Sequence, residues 1–278
     1  MVSLHKCSDY KNLRRMKAEI WPSSSFFYGK RIFIKPNLVV PISKWEQAST
    51  TKLELVEMVI ECLKDEGCHS IMVGDCGFKG QWIETIKSSG YDVLPKKYGV
   101  ELIGLQEGEN YHKFSLIRFK DKGDYLSLFG AKFSDYMLDY DCVVNLPKLK
   151  VHKMALVTGA IKNMMGCMIN KGNMHPRGDA NILHKRLRDL YFLIQDRVKL
   201  CIMDGIEGSE YSEHYGLPRK VGIILVSKDM WEMDCCEAHA IGIDPKDVPY
   251  LNLIQKDVKR DFPQRDYQCK FERPLGWR

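Results

Sequence analysis

The chain has 278 residues, 45% of them hydrophobic, and a formal net charge of +6. That length suits one large domain or two apposed lobes, and the apolar fraction is that of a globular protein with a substantial core. The mild positive charge is not gathered into a block of five or six like charges, and no apolar run reaches the roughly 18 residues that a membrane span needs.

Ten cysteines are present, with no C-x-x-C pair among them. Neither a ferredoxin-type cluster run nor a zinc-ribbon spacing occurs. The N-terminus MVSLHKCSDYKNLRRMK has no apolar signal-like stretch, so the sequence points to a reducing cytosol with unpaired thiols. The vicinal Cys235-Cys236 lies in a helical pattern and reads as core packing.

In chain order, Ser8 to Ile20 reads as a short amphipathic helix ended by Trp21-Pro22. Arg31 to Ile34 is a buried strand that delivers Lys35 and Asn37 at its C-terminal end, around Pro36. Thr50 to Glu66 carries apolar residues at 53, 55, 56, 59, 60 and 63, a helical spacing. Ser49, Thr50 or Thr51 can cap its start, and Gly67 stops it. Ser70 to Val73 is a second buried strand, ending in Gly74-Asp75. Strand, helix, strand implies a parallel sheet, in which ligands bind beyond the carboxyl ends of the strands. Lys35, Asn37 and Asp75 therefore share one edge. No G-x-G-x-x-G or Walker loop follows any strand, which argues against dinucleotide binding and nucleoside triphosphate hydrolysis. Gln81 to Ser89 reads as a helix. Val100 to Ile103 and Phe114 to Phe119 read as strands, with a turn at Lys120 to Asp124 leading into Tyr125 to Phe129. This region is an expected antiparallel add-on near residues 100–130.

The stretch Asp141 to Gly178 carries the densest chemistry. An apolar strand, Cys142-Val143-Val144, is followed by Asn145, Pro147, Lys148, Lys150, His152 and Lys153. Thr158-Gly159 then turns into a short helix with Lys162 and Asn163, and a loop carries Lys171, Asn173, His175 and Arg177. Lysines set among Leu146, Leu149, Val151 and Met154 are partly buried, and a buried cation needs a partner. The first N–H groups of a helix at Gly159 also favour a phosphate or carboxylate. A cationic field keeps His152 neutral and able to take a proton, with His175 as the second candidate.

Asn181 to Gln195 reads as a helix with a solvated basic face at His184 to Arg188. Val198 to Met203 is a strand, expected to end in the turn Asp204-Gly205-Ile206-Glu207-Gly208, which matches Asp204 with Asp75. A polar loop with His214, a strand from Val221 to Val226, and a helix capped by Asp229 and running to Ala240 follow. Asp244-Pro245 starts a short helix, and the charged tail from Lys256 reads as surface or loosely held. The expected fold is α/β, a mostly parallel sheet flanked by helices. It spans 1–278 as one domain, or as two closely packed lobes of about 1–140 and 141–278.

Asn145-Leu-Pro-Lys-Leu-Lys-x-His152 and Thr158-Gly-Ala-Ile-Lys-Asn-Met-Met-Gly166 together resemble the DUF362 family. So do Lys35-Pro36-Asn37, Gly74-Asp75, Asp204-Gly205 and Ser227-Lys228-Asp229…Asp234, so that the resemblance covers about residues 30–255. Some members carry a ferredoxin-like iron–sulfur module, for which this chain has no cysteine run. More distantly, the chain is similar to the nickel-dependent lactate racemases, in which a catalytic histidine is followed ten positions later by a lysine. His152 and Lys162 have that separation. In that family the histidine handles a proton and the lysine holds the pincer cofactor. A later histidine ligates nickel, and His175 is its nearest counterpart at a different spacing.

These readings make the chain a cytoplasmic enzyme acting by acid/base chemistry on a small anionic metabolite, as an isomerase, lyase or transferase. The catalytic set is His152, Lys162 and His175. The binding set is Lys35, Asn37, Asn145, Lys148, Lys150, Thr158, Gly159, Asn163, Asp75 and Asp204. Asp75 and Asp204 with a histidine also make a divalent-metal candidate; no other cofactor is identified. The alternative is a non-catalytic binding or redox accessory protein that docks an acidic partner. Nucleic acid is a weaker partner, because aromatic-interleaved basic motifs are absent.

Overall fold

The computed structural model describes residues 1–22, 25–42, 48–77, 80–105, 114–116, 126–128, 132–169, 175, 179–263, 267, 269 and 271–272. The expected turn at Lys120 to Asp124, and Lys171, Asn173 and Arg177, lie outside them.

The strands in chain order are β1 (Ser3–Lys6), β2 (Arg31–Pro36), β3 (Ser70–Asp75), β4 (Glu101–Gly104), β5 (Phe114–Leu116) and β6 (Lys132–Ser134). They continue with β7 (Cys142–Leu146), β8 (Lys148–His152), β9 (Leu156–Val157), β10 (Met168–Ile169), β11 (Val198–Glu210) and β12 (Leu217–Ser227). The main sheet runs β1-β12-β11-β7-β2-β3-β4. From β11 to β4 every pair is parallel, whereas β12 and β1 close the other edge antiparallel. Both faces are covered, as an all-parallel core requires. Helices α1 (Lys17–Ile20), α2 (Leu53–Asp65), α3 (Trp82–Ser88) and α4 (Leu94–Tyr98) pack on Ile32, Ile34 and Val144 on one face. On the other, α5 (Asp135–Asp139), α6 (Gly159–Asn163), α7 (Ala180–Ile194), α8 (Met230–Ala240) and α9 (Pro249–Val258) pack on Phe33, Val143 and Met203. The alternation of Ile32, Phe33 and Ile34 between the two cores is the period-two rule of a strand.

Several expectations are corrected. β4 is the parallel edge of the main sheet; the antiparallel addition is a separate small sheet ordered β10-β6-β5, and Leu126–Leu128 is a 3-10 turn rather than a strand. Asp204 to Gly208 is not a turn, because β11 runs through it to Glu210 with a bulge between Gly205 and Glu207. The extension survives because β12 pairs with one edge and β8 with the other. The lead is a 3-10 turn at Tyr10–Asn12 followed by α1, not one helix. Thr51 does not cap α2; its Oγ1 accepts from Asn37 N (2.9 Å) and donates to Leu146 O (2.7 Å), tying the ends of β2 and β7. In the expected solvated face of α7, His184 is buried and stacks on Tyr250, and Arg188 pairs with Asp189 and Asp257. In the tail, Lys256, Asp257, Lys259, Arg260 and Asp261 are exposed as expected, but further on Cys269 N donates to Ala240 O, Phe271 N to Ile241 O, and the Phe271 ring is buried.

Lys148 shows how a buried charge holds the fold. It is fully buried, its Nζ 2.9 Å from Asp204 Oδ2 and donating to Tyr10 Oη at 3.0 Å. Tyr10 donates to Asp204 Oδ1 (2.8 Å), and Lys52 N donates to Oδ2 (2.9 Å). The pair fastens the N-terminal lead and the start of α2 to β8 and β11. Lys148→Met leaves a buried carboxylate uncompensated and is expected to cost about 3–5 kcal/mol in urea unfolding. The double variant Lys148→Met, Asp204→Leu is expected to recover most of that loss.

Candidate functional site

β8 follows β7 after the single residue Pro147. Proline has no N–H to give to a ladder, and its carbonyl accepts from Asp204 N (2.9 Å). Along β8 the sequence Lys-Leu-Lys-Val-His sends Leu149 and Val151 into the core and Lys148, Lys150 and His152 to the opposite side. Lys150 and His152 thereby reach a cavity of about 350 Å³ at the carboxyl ends of β2, β3 and β8. The expected residues that line it are Lys35, Asn37, Asp75, Lys150, His152, Thr158, Lys162, Asn163 and His175. Lys153, Met154, Glu213 and His214 line it as well.

A buried polar relay fixes the cavity floor. Asn145 Nδ2 donates to Ala160 O (2.8 Å), and Asn163 Nδ2 donates to Asn145 Oδ1 (2.7 Å). Asn163 Oδ1 accepts from Asn37 Nδ2 (2.8 Å) and Lys35 Nζ (3.3 Å). Asn37 Oδ1 accepts from Lys150 Nζ (2.8 Å), which also donates to Ser49 O and Glu213 O, both at 3.1 Å. Lys35 Nζ sits 2.9 Å from Asp75 Oδ2 and donates to Pro36 O at 2.6 Å. Asp75 further accepts from Leu38 N (2.7 Å) and Cys76 N (2.6 Å). Gly166 lies against this pair, where a Cβ would overlap both side chains.

The ammonium protons of Lys35 and Lys150 are therefore each matched by three protein oxygens. Burial, then the charge of Lys162, pulls Lys150 down to about 7; its three acceptors favour the ammonium form. His152 is pushed well below the usual histidine range by burial first, then by Lys162, His175, Lys150 and His214. Its Nδ1 accepts from Met154 N (3.1 Å) and Ala155 N (3.0 Å), and its Nε2 lies 3.7 Å from Glu213 Oε1. His175 stacks on the ring, centroids 5.9 Å apart.

Four expected binding residues do not line the cavity. Lys148 and Asp204 form the pair described above, and Asn145 supports the relay from behind. Gly159 opens α6 with φ +64°, and a Cβ there would overlap the Asp234 carboxylate. That carboxylate of α8 accepts from Ala160 N and from Ile161 N (3.2 Å), so an internal acid occupies the helix end expected to hold a ligand. The divalent site does not assemble either: Asp75 and Asp204 belong to different clusters, each bound to its own lysine and to backbone N–H groups. Among the described residues no group of three or more His, Cys, Asp or Glu side chains is placed to hold a metal ion. Glu213 is the residue that the sequence did not signal; it comes from the loop between β11 and β12.

The fold and site define an α/β protein with a lysine-, amide- and imidazole-lined cavity at the carboxyl edge of its parallel strands. The chain belongs to the family described as "Domain of unknown function (DUF362)", which matches residues 32–239. It is similar to "Thylakoid-associated protein sll1697" of Synechocystis sp., with 27% identity over 228 residues. The alignment covers 80% of this chain and 66% of that protein, just under two thirds of its length. The likeness to lactate racemases rests on the His152–Lys162 spacing alone. Among the described residues no helix is long and apolar enough to cross a membrane.

The Asp234 cap makes stability depend on pH. Burial pushes this carboxyl up from 3.8 to about 7, against the hydrogen bonds from Tyr250, Ala160 and Ile161. Burial, then Asp234, also pushes Glu237 well up. A folded-state pKa above the unfolded one gives a contribution that is complete below about pH 4 and declines as pH rises to about 7. Asp234→Asn keeps an acceptor for Ala160 N–H but cannot ionise. Wild-type stability minus that of the variant, from urea midpoints, is expected to fall across this window; a constant difference would contradict the assignment.

Proposed function

We propose that this protein is an enzyme that carries out acid/base chemistry on a small metabolite bearing a carboxylate or a phosphate. The observation that carries the reading is that His152 and Lys162 line the same cavity. Its volume, about 350 Å³, suits a small metabolite. Lys35 and Lys150 have their protons matched by protein oxygens, and Lys162, on α6, lines the cavity together with His152, which makes it the cation this reading assigns to a ligand anion. The neutral imidazole beside it supplies a group for proton or hydrogen-bond chemistry.

Docking of an acidic protein or a nucleic acid is favoured less. Such partners need cations displayed on the surface, and Lys35, Lys148 and Lys150 are at most 2% exposed. A cytoplasmic, reducing compartment is supported by the ten cysteines, none of which forms a disulfide. Thylakoid association is a property in the relative's name and is not carried over.

Inorganic phosphate and oxalate are suitable probes. A ligand at a hundredfold over its Kd adds about 2.7 kcal/mol of stability, readable as a thermal shift. Lys162→Ala is expected to weaken binding by roughly 10- to 100-fold, the loss of one charge-assisted hydrogen bond. Lys185→Ala, on the exposed side of α7, is expected to leave it unchanged. Equal stabilisation of the Lys162→Ala variant and the wild type would remove Lys162 from the site.

A further inference from the structure

We infer that His152 serves as a neutral hydrogen-bond donor at Nε2, that Glu213 is the base, and that the substrate is a small carbonyl compound bearing a carboxylate or phosphate, which the pair enolises. The inference deepens the proposed acid/base function and rests on it.

The tautomer follows from the backbone. Met154 N and Ala155 N both donate to Nδ1, at 3.1 and 3.0 Å. A proton on Nδ1 would face two other donors, so the neutral ring carries its proton on Nε2. In that form Nε2 has no lone pair to take a proton, and the one lone pair in the ring plane is turned toward the chain. The sequence-based expectation that His152 takes a proton is thereby inverted. Burial at 3% exposure and the nearby Lys162 keep the ring from charging. A neutral imidazole is well suited to polarise a carbonyl, because its N–H meets the charge that develops on oxygen.

The base has to be another group. Asp75 is excluded because Lys35 and two backbone N–H groups occupy its oxygens. Asp234 and Glu237 are buried beside the start of α6 and β8, where they accept backbone N–H groups, and do not line the cavity. Glu213 does line it, with Oε1 3.7 Å from His152 Nε2 and Oε2 receiving Lys153 N at 3.4 Å. The 3.7 Å separation is too long for a direct hydrogen bond. It leaves donor and carboxylate side by side, so that a carbonyl oxygen can meet Nε2–H while the adjacent carbon meets Oε1. The Glu213 backbone oxygen accepts from Lys150 Nζ, which ties the loop to the cavity floor.

The step balances without a co-reactant. The C–H bond next to the carbonyl breaks, and its proton goes to a Glu213 oxygen. The electron pair becomes the C=C bond, and the carbonyl π pair moves to oxygen, where Nε2–H meets it. Return of the proton to the same carbon gives exchange, or inversion if it arrives on the opposite face. Where that carbon bears a hydroxyl, passage of the hydroxyl proton to the former carbonyl oxygen and return of the carbon-bound proton to the neighbouring carbon complete an isomerisation.

Two measurements test this. Nitrogen NMR of the histidine-labelled wild type, with His152→Gln for assignment, reads the tautomer directly. The expected result is protonation at Nε2 alone across about pH 5.5–8; an Nδ1-protonated ring, or one that charges in this range, overturns the donor role. The second is exchange of carbon-bound hydrogen in pyruvate and dihydroxyacetone phosphate in heavy water. Glu213→Gln is expected to lose roughly 10²–10⁴-fold of the exchange rate, and His152→Ala roughly 10²–10³-fold. His152→Gln, whose amide can donate but cannot take the proton, is expected to exceed His152→Ala by about tenfold. A His152→Gln variant as slow as His152→Ala, with Glu213→Gln still active, makes the imidazole the base and overturns the assignment. Loss of exchange in His175→Gln but not in Glu213→Gln gives the base role to His175 and likewise overturns it. Wild-type protein that binds phosphate yet exchanges neither probe overturns the enolisation step and leaves the anion reading standing.

Discussion

A lysine taken out of water must find an oxygen for each of its protons, and this requirement shapes the carboxyl edge of the sheet. Lys35 and Lys150 each meet three oxygens there, through Asp75, Asn37, Asn163 and main-chain carbonyls. The relay locks β2, β3, β7, β8 and α6 to one another. Its amides have fixed orientations, because each oxygen accepts while each nitrogen donates along the chain from Asn145 to Lys150. A half-satisfied network of this kind would be worse than an apolar one, so the fold and the cavity wall stand or fall together.

The same bookkeeping separates support from chemistry. Lys35 and Lys150, whose protons are matched by protein oxygens, tie the cavity floor together. Burial first, then Lys162, His175, Lys150 and His214, pushes His152 well below the usual histidine range, and the backbone at Met154 and Ala155 sets which ring nitrogen faces the cavity. Under the proposed function, this arrangement would act as electrostatics prepared in advance, and it arises from β8 and the turn that follows it.

Much of this was legible in the sequence because it is local. The period-two pattern of Lys148 to His152 places its polar side chains on one face, and the strand–helix–strand unit before residue 76 brings Lys35, Asn37 and Asp75 to one edge. What stayed hidden depends on distant pairing. Lys148 looks like a ligand-binding residue until Tyr10, 138 positions away, and Asp204 are seen to satisfy it. The start of α6 looks open to an anion until Asp234, 74 positions on, is found capping it. Asp204-Gly205 reads as a turn because glycine usually punctuates a strand, yet pairing on both edges carries β11 through. Glu213 sits in a loop of ordinary polar composition, and only the return of β11 over β8 brings it opposite His152.

The most direct measurement is a crystal structure of the protein soaked with tungstate, a heavy phosphate mimic whose anomalous signal locates it unambiguously. The account predicts one strong site inside the cavity, between Lys162 Nζ and His152 Nε2, with the Lys35–Asp75 pair and the asparagine relay undisturbed. Anion density confined to the outer surface, or a Lys162 side chain turned out into solvent with the cavity left to water, would contradict it.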